Sequence, residues 1–256
     1  MFACYNVGMT RAFHNFTYDG TLEGLLCVYI KCISMKVRPL EIKPEFMVRG
    51  TSLEDRFLYV RTNPGMADRL YRYLGQCASA QIQQMVSDCF LTSLPRMEAD
   101  LYELVCRAIR FGASISEDYE DETMHRIQMA IRDLYREAQS LIQKMDFHNE
   151  SGVCVTSLNP RNCVLPLMRH HILNNPEYDD LLAYDKRHYL LLLRNGSEDD
   201  MIDIRRLPIP TVNNPHDIYE AFWPYVTGER DIRSSHQSRR IGGKSADGLD
   251  PLWHIA

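Results

Sequence analysis

The residues able to do chemistry are carboxylates, histidines and arginines scattered along the chain. No phosphate loop, dinucleotide fingerprint, nucleophile elbow or His-Glu-x-x-His helix gathers them locally. Asp19 and Glu23 flank a helix start, close enough to share a partner or a cation. An Asp in a turn and a Glu in a first helical turn are also ordinary structural choices. His170 and His171 are adjacent, so on a helix they point about 100° apart and do not easily grip one metal. Asp185-Lys186-Arg187-His188 is a charged tip between two apolar runs, where a guanidinium can read a phosphate or carboxylate. A solvated turn explains the same charges. Arg132, Arg136 and Glu137 lie off the apolar seam of a long helix and read as a solvated face with local ion pairs.

Eight cysteines stand at positions 4, 27, 32, 77, 89, 106, 154 and 163. No two have the two-residue gap that lets one turn offer both thiolates to a metal. They read as small buried hydrophobes that stay reduced. The expectation is no metal ligands, no cofactor, and no stoichiometric zinc or iron-sulfur cluster in the purified chain.

The elements that must position these side chains follow from periodicity. Tyr18-Asp19-Gly20-Thr21 ends a short strand and caps a helix whose apolar face runs from Leu22 to about Met35. Arg56 to Arg61 reads as a second strand, and no period persists between Glu41 and Ser52. Four helices follow: one opened by Asn63-Pro64, one capped by Ser79, one from Pro95 to a stop at Gly112, and a long one behind the acidic run Glu117 to Glu122. Met124, Ile127, Ile131, Leu134, Ala138, Leu141 and Met145 give the long helix one apolar seam, suited to packing in a helical layer more than to a dimer zipper.

From Val153 the texture becomes strand-rich. Val153 to Val155 reads as a strand, Val164 to Leu173 as a helix, and Leu181 to Asp185, His188 to Arg194 and Met201 to Leu207 as a β-meander. Ile218 to Val226 closes with a helix. The grouping predicts one α+β domain over 1–256: helix-rich 16–149 packed with a mainly antiparallel sheet in 150–228, then a basic tail 229–256. The early strands have the option of joining that later sheet.

Basic residues number 29 against 34 acidic ones, a net charge of −5, which excludes a wholly electrostatic nucleic-acid binder. Any DNA contact is expected to be weak and to use the tail, where Arg230, Arg233, Arg239, Arg240 and Lys244 cluster near Trp223, Tyr225 and His236. No apolar run reaches the roughly 20 residues of a spanning helix, and Met1 to Arg11 lacks the pattern of a secretory signal. The expected location is the cytoplasm, with no membrane partner.

Phe16-Thr17-Tyr18-Asp19-Gly20-Thr21-Leu22-Glu23-Gly24-Leu25-Leu26 resembles the opening signature of a bacterial family of probable DNA metabolism proteins of undetermined activity. Further segments agree in order: Tyr135-Arg136-Glu137-Ala138, Val164-Leu165-Pro166-Leu167 with His171, Leu182-Ala183-Tyr184-Asp185-Lys186-Arg187, and Phe222-Trp223-Pro224-Tyr225. The likeness runs from about Phe16 to Trp253. It departs at His148, where relatives end the long helix in Phe-x-Arg-Phe, and in a tail without their Met-Pro-x-x-Tyr-Trp ending. Members of that family are often encoded beside a radical S-adenosylmethionine protein assigned to DNA modification or repair, and some are fused to a uracil-DNA glycosylase-like domain.

The resemblance implies an accessory protein of DNA metabolism or repair whose partner is such a radical S-adenosylmethionine enzyme. It supplies no catalytic residue. Two alternatives stay open: a nucleic-acid-directed hydrolase with a polar or cation-binding site, and a structural interaction module unrelated to DNA. The polar members of the family-like blocks, Tyr18, Asp19, Glu23, Arg136, His171, Asp185 and Arg187, are expected to share one pocket or surface.

Overall fold

The computed structural model describes residues 14–50, 56–112, 121–174, 179–205, 212 and 214–227. The basic cluster Arg230, Arg233, Arg239, Arg240 and Lys244 lies outside the described residues. The architecture is α+β, with most helices in the first half and an antiparallel-rich sheet in the second. The chain divides into two compact units, 1–133 and 134–256.

In the first unit, β1 (His14–Tyr18) leads through α1 (Leu22–Met35) to β2 (Pro39–Pro44), the short α2 (Glu45–Val48) and β3 (Phe57–Tyr59). The early strands do not join the later sheet. They form their own parallel sheet, in the order β2-β1-β3. Strand β2 escapes a periodicity search because two prolines bound it, and an edge strand tolerates proline where a central one does not.

Helices α3 (Pro64–Cys77), α4 (Ala80–Phe90) and α5 (Met97–Phe111) follow; α3 and α4 begin at the caps expected of them, whereas α5 starts not at Pro95 but behind Arg96, which makes no side-chain cap bond. Asn63 accepts from the Met66 N–H, Ser79 accepts from the Ile82 N–H, and Gly112 closes α5. Phe16, Tyr18, Leu25, Tyr29, Leu74 and Ile82 are at most 1% exposed and anchor one core. Full burial of one large apolar side chain contributes roughly 1.5–3 kcal/mol. The opposite face of β1 is different: Thr17 is buried, yet neither its Oγ1 nor Asn15 Oδ1 has a hydrogen-bond partner.

Helix α6 (Glu122–Lys144) begins where Asp121 Oδ1 accepts from the Met124 N–H at 2.6 Å, so this end of the acidic run is a cap. Met124 and Ile127 enter the first unit's core, and Leu134 and Ala138 are fully buried, as the seam predicts.

The second unit holds β4 (His148–Glu150), β5 (Val153–Leu158), α7 (Leu165–Leu173), β6 (Asp180–Asp185), β7 (Leu190–Asn195), β8 (Glu198–Asp203) and α8 (Pro215–Val226). Its five-stranded sheet has the order β4-β5-β6-β7-β8 and is antiparallel except between β5 and β6. That parallel pair requires a crossover, which α7 provides. Helix α8 packs Ile218, Ala221 and Phe222 against Val153, Val155, Leu182, Tyr184 and Leu191. Strand alternation therefore sends Leu181, Ala183 and Asp185 to the other face. Trp223 stacks on Tyr219 at 6.2 Å and packs against the α8 core, which accounts for the aromatic spacing of this helix.

Candidate functional site

The most concentrated chemistry lies in the second unit, at the carboxyl end of β6. Asp185 is the last residue of that strand and is fully buried. The chain turns immediately, and the turn folds back onto its carboxylate. Oδ1 accepts the backbone N–H groups of Arg187 and His188, each at 3.0 Å, and Oδ2 lies 2.8 Å from His188 Nδ1. A buried carboxylate requires such compensation, since an unpaired charge there costs several kcal/mol. The Lys186 N–H donates to the carbonyl of Leu158 at 2.9 Å, pinning the tip to the end of β5.

The loop between β5 and α7 brings in the third member, Cys163. Glu137 of α6 fixes this loop. Its Oε1 accepts from the Arg161 N–H at 2.6 Å, and its Oε2 accepts from the Asn162 N–H at 2.9 Å and from Asn162 Nδ2 at 2.7 Å. One sulfur of Cys163, one oxygen of Asp185 and one ring nitrogen of His188 come within 4.8 Å of one another. Among the described residues this is the grouping of three such donors that could hold a metal ion.

Burial pushes the Cys163 thiol up to about 12; the charges of Asp185 and Asp203 push the same way, and Arg205 opposes them. A thiol of that kind is protonated at neutral pH and is a poor nucleophile. The trio offers the donor types of a metal site: a sulfur, a carboxylate oxygen and an imidazole nitrogen. Asp203 and Arg205 form their own ion pair, with Arg205 Nε 2.9 Å from each carboxylate oxygen.

His171 is not brought to Asp185. A crossover helix between parallel strands runs back along them, so its last turn lies by the amino end of β6. The carbonyl of Leu173 confirms this placement: it accepts from Arg194 Nη1 at 2.7 Å, and Arg194 pairs with Leu181 near the start of β6. His171 is exposed there, about the length of a six-residue strand, ~16 Å, from the Asp185 end. Arg136 is exposed on α6, beside the Glu137 that reaches the loop. Arg187 is exposed at the tip.

In the first unit, Asp19 serves the β1–α1 turn. Its Oδ1 accepts from the Thr21 N–H at 3.0 Å and from Thr21 Oγ1 at 2.6 Å, and its Oδ2 accepts from Thr62 Oγ1 at 2.6 Å. Thr21 Oγ1 in turn caps α1 by accepting from the Gly24 N–H at 3.0 Å. Gly24 is required by this arrangement: a Cβ there would lie 2.3 Å from Asp19 Oδ1. Tyr18 points into the core, its hydroxyl 3.5 Å from Glu98 Oε1, whereas Glu23 is exposed on α1. Within six residues of one another in sequence, Tyr18, Asp19 and Glu23 have separate destinations.

Cys163, His188 and Glu137 are the participants that sequence reasoning left out of its site. A rule that looks for closely spaced cysteines has no means of pairing one cysteine with an Asp-x-x-His turn supplied by a later hairpin. The available signal was Asp185-Lys186-Arg187-His188 itself, a carboxylate and an imidazole at the end of an apolar strand. No family model, curated protein or solved structure matches this chain.

Proposed function

We propose that the chain is an accessory protein of DNA metabolism or repair that acts with a radical S-adenosylmethionine enzyme, in the bacterial cytoplasm. One observation supports a non-catalytic role for the family-like blocks: their two aspartates are occupied in holding turns. Asp19 accepts from three donors and Asp185 from two backbone N–H groups, with His188 against its other oxygen. A general base or a nucleophilic carboxylate needs a lone pair directed at substrate. Rigid turns joining strand ends to helices instead suit a surface of fixed shape that a partner reads. The hydrolase alternative needs Asp19, Glu23, His171 and Asp185 around one cation, and within the second unit His171 and Asp185 stand toward opposite ends of β6.

Among the described residues no helix is long and apolar enough to cross a membrane. In this reading DNA contact is secondary and falls to the basic tail.

Purification of the tagged full chain from its native organism, with mass spectrometry of what accompanies it, tests the reading. Recovery of a radical S-adenosylmethionine protein in stoichiometric amount, retained by the Asp19→Asn variant, is the expected result. Cleavage of DNA or RNA by the chain alone, lost in that variant, would replace it with the hydrolase.

A further inference from the structure

We propose that Cys163, Asp185 and His188 bind one divalent transition metal of the zinc class, leaving a fourth coordination position for water or an exogenous ligand. This goes beyond the accessory-protein reading and does not depend on it. It also departs from the expectation drawn from cysteine spacing, which addressed only ligands close in sequence.

The donor set selects the ion. Thiolate, imidazole and carboxylate are together the ligands of zinc and its neighbours, at bond lengths near 2.3, 2.0 and 2.1 Å respectively. A thiolate excludes magnesium and calcium, which take oxygen donors. Three donor atoms within 4.8 Å of one another need only modest closure to meet at one ion.

Charge favours the same ion. Binding breaks the S–H bond of Cys163 and releases that proton to solvent, leaving the electron pair on sulfur for the metal. Thiolate and carboxylate together offset the 2+ charge, and a neutral imidazole adds none, whichever ring nitrogen keeps its proton. The product is a neutral cluster, the form that a buried location tolerates best. Before binding, Asp185 Oδ2 faces His188 Nδ1 at 2.8 Å, and Cys163 is a free thiol.

The scaffold is already in place. Glu137 holds the Cys163 loop through three hydrogen bonds, two backbone N–H groups hold Asp185, and the Lys186 N–H ties the tip to Leu158. What remains for the metal is to replace the His188 Nδ1–Asp185 Oδ2 contact and draw the three donors together. The location agrees: beyond the carboxyl ends of adjacent parallel strands is where open sheets take ligands. Three protein ligands and one open position are the pattern of a zinc site that engages an exogenous molecule, whereas purely structural sites close with four.

The experiment uses the full chain, stripped by chelator, dialysed and titrated with Co²⁺ as the probe. One equivalent should bind with the sulfur-to-cobalt charge-transfer absorption and the visible bands of four-coordinate cobalt, and Zn²⁺ should erase both. Cys163→Ser should abolish the charge-transfer band, and Asp185→Asn and His188→Gln should each weaken binding by at least roughly the 10–100-fold that loss of an outer-shell partner costs. Cys4→Ser and Cys77→Ser should leave the spectrum unchanged. Circular dichroism checks each fold; should Cys163→Ser fail to fold, His188→Gln at the half-buried tip carries the decision. Failure to bind cobalt, or binding unaltered in Cys163→Ser or His188→Gln, overturns the proposal. The accessory role is read by copurification, so either can fail without the other.

Discussion

Glu137 grips Asn162 twice, through its backbone N–H at 2.9 Å and its side-chain amide at 2.7 Å, and so determines where the next residue, Cys163, is held. Asn162 is buried, so its donors have no water to turn to once the carboxylate is gone. Glu137→Ala should cost about 2–3 kcal/mol in urea unfolding, with Glu137→Gln recovering part of it because an amide oxygen still accepts. Equal loss in both variants would mean that the charge, not the acceptor geometry, holds the loop.

Gly24 makes an unusual prediction for a helical glycine. Glycine-to-alanine changes in helices usually add up to about 1 kcal/mol of stability. Here the added Cβ would meet Asp19 Oδ1 at 2.3 Å and Thr62 Oγ1 at 3.0 Å, so Gly24→Ala should destabilise. In the background of Asp19→Ala, itself costing about 2 kcal/mol, the penalty should shrink, and additive effects in this cycle would argue against the contact.

Thr17 offers the opposite sign. Its hydroxyl is buried without a hydrogen-bond partner, so Thr17→Val removes an uncompensated polar atom at nearly constant shape. Thermal unfolding should show a variant that is unchanged or up to about 1 kcal/mol more stable. A clear loss of stability would point to a water or side chain satisfying that oxygen.

Glu98 should make stability depend on pH. Burial raises its pKa, outweighing the lowering by its own backbone hydrogen bond and by Tyr18, with Glu41 raising it and Lys43 lowering it further. A carboxyl whose folded pKa exceeds its unfolded one contributes stability below the unfolded value and loses it as pH rises through the folded value. Glu98→Gln escapes that loss. The stability of the variant relative to the parent should therefore climb from acid toward neutral pH and then level off; a flat difference across that range would show that the side chain is better solvated than its position indicates.

The tail is tested separately. Should the tail make four or five phosphate contacts, affinity for a labelled oligonucleotide should fall by on the order of a hundredfold between about 50 and about 200 mM salt. Truncation after Thr227 should remove the binding in a fluorescence anisotropy titration. Equal binding by both forms would clear Arg230, Arg233, Arg239, Arg240 and Lys244 of the role.

Local signals were the legible part of the fold. Thr21, Asn63 and Ser79 were readable as caps because a cap depends on the residue and its next three neighbours. The meander was readable because apolar runs alternate with turn residues. Pairing was not: nothing in Phe16 says that its strand lies parallel to both Ile42 and Leu58. The same limit applied at the site. Asp185 and Arg187 were found on their own hairpin, whereas Cys163 and Glu137 reach it only through the β5–α7 crossover and a distant helix, and no periodicity records that proximity.

The strand order β2-β1-β3 has a consequence during synthesis. Strand β1 is made first, yet both of its neighbours come later, and the second is complete only when Tyr59 has been added. Until then the nascent chain presents a strand with one or both edges unpaired, a template for pairing with another chain. Fragments ending in α2 should therefore precipitate or require a chaperone, whereas fragments reaching beyond β3 have both borders of β1 occupied.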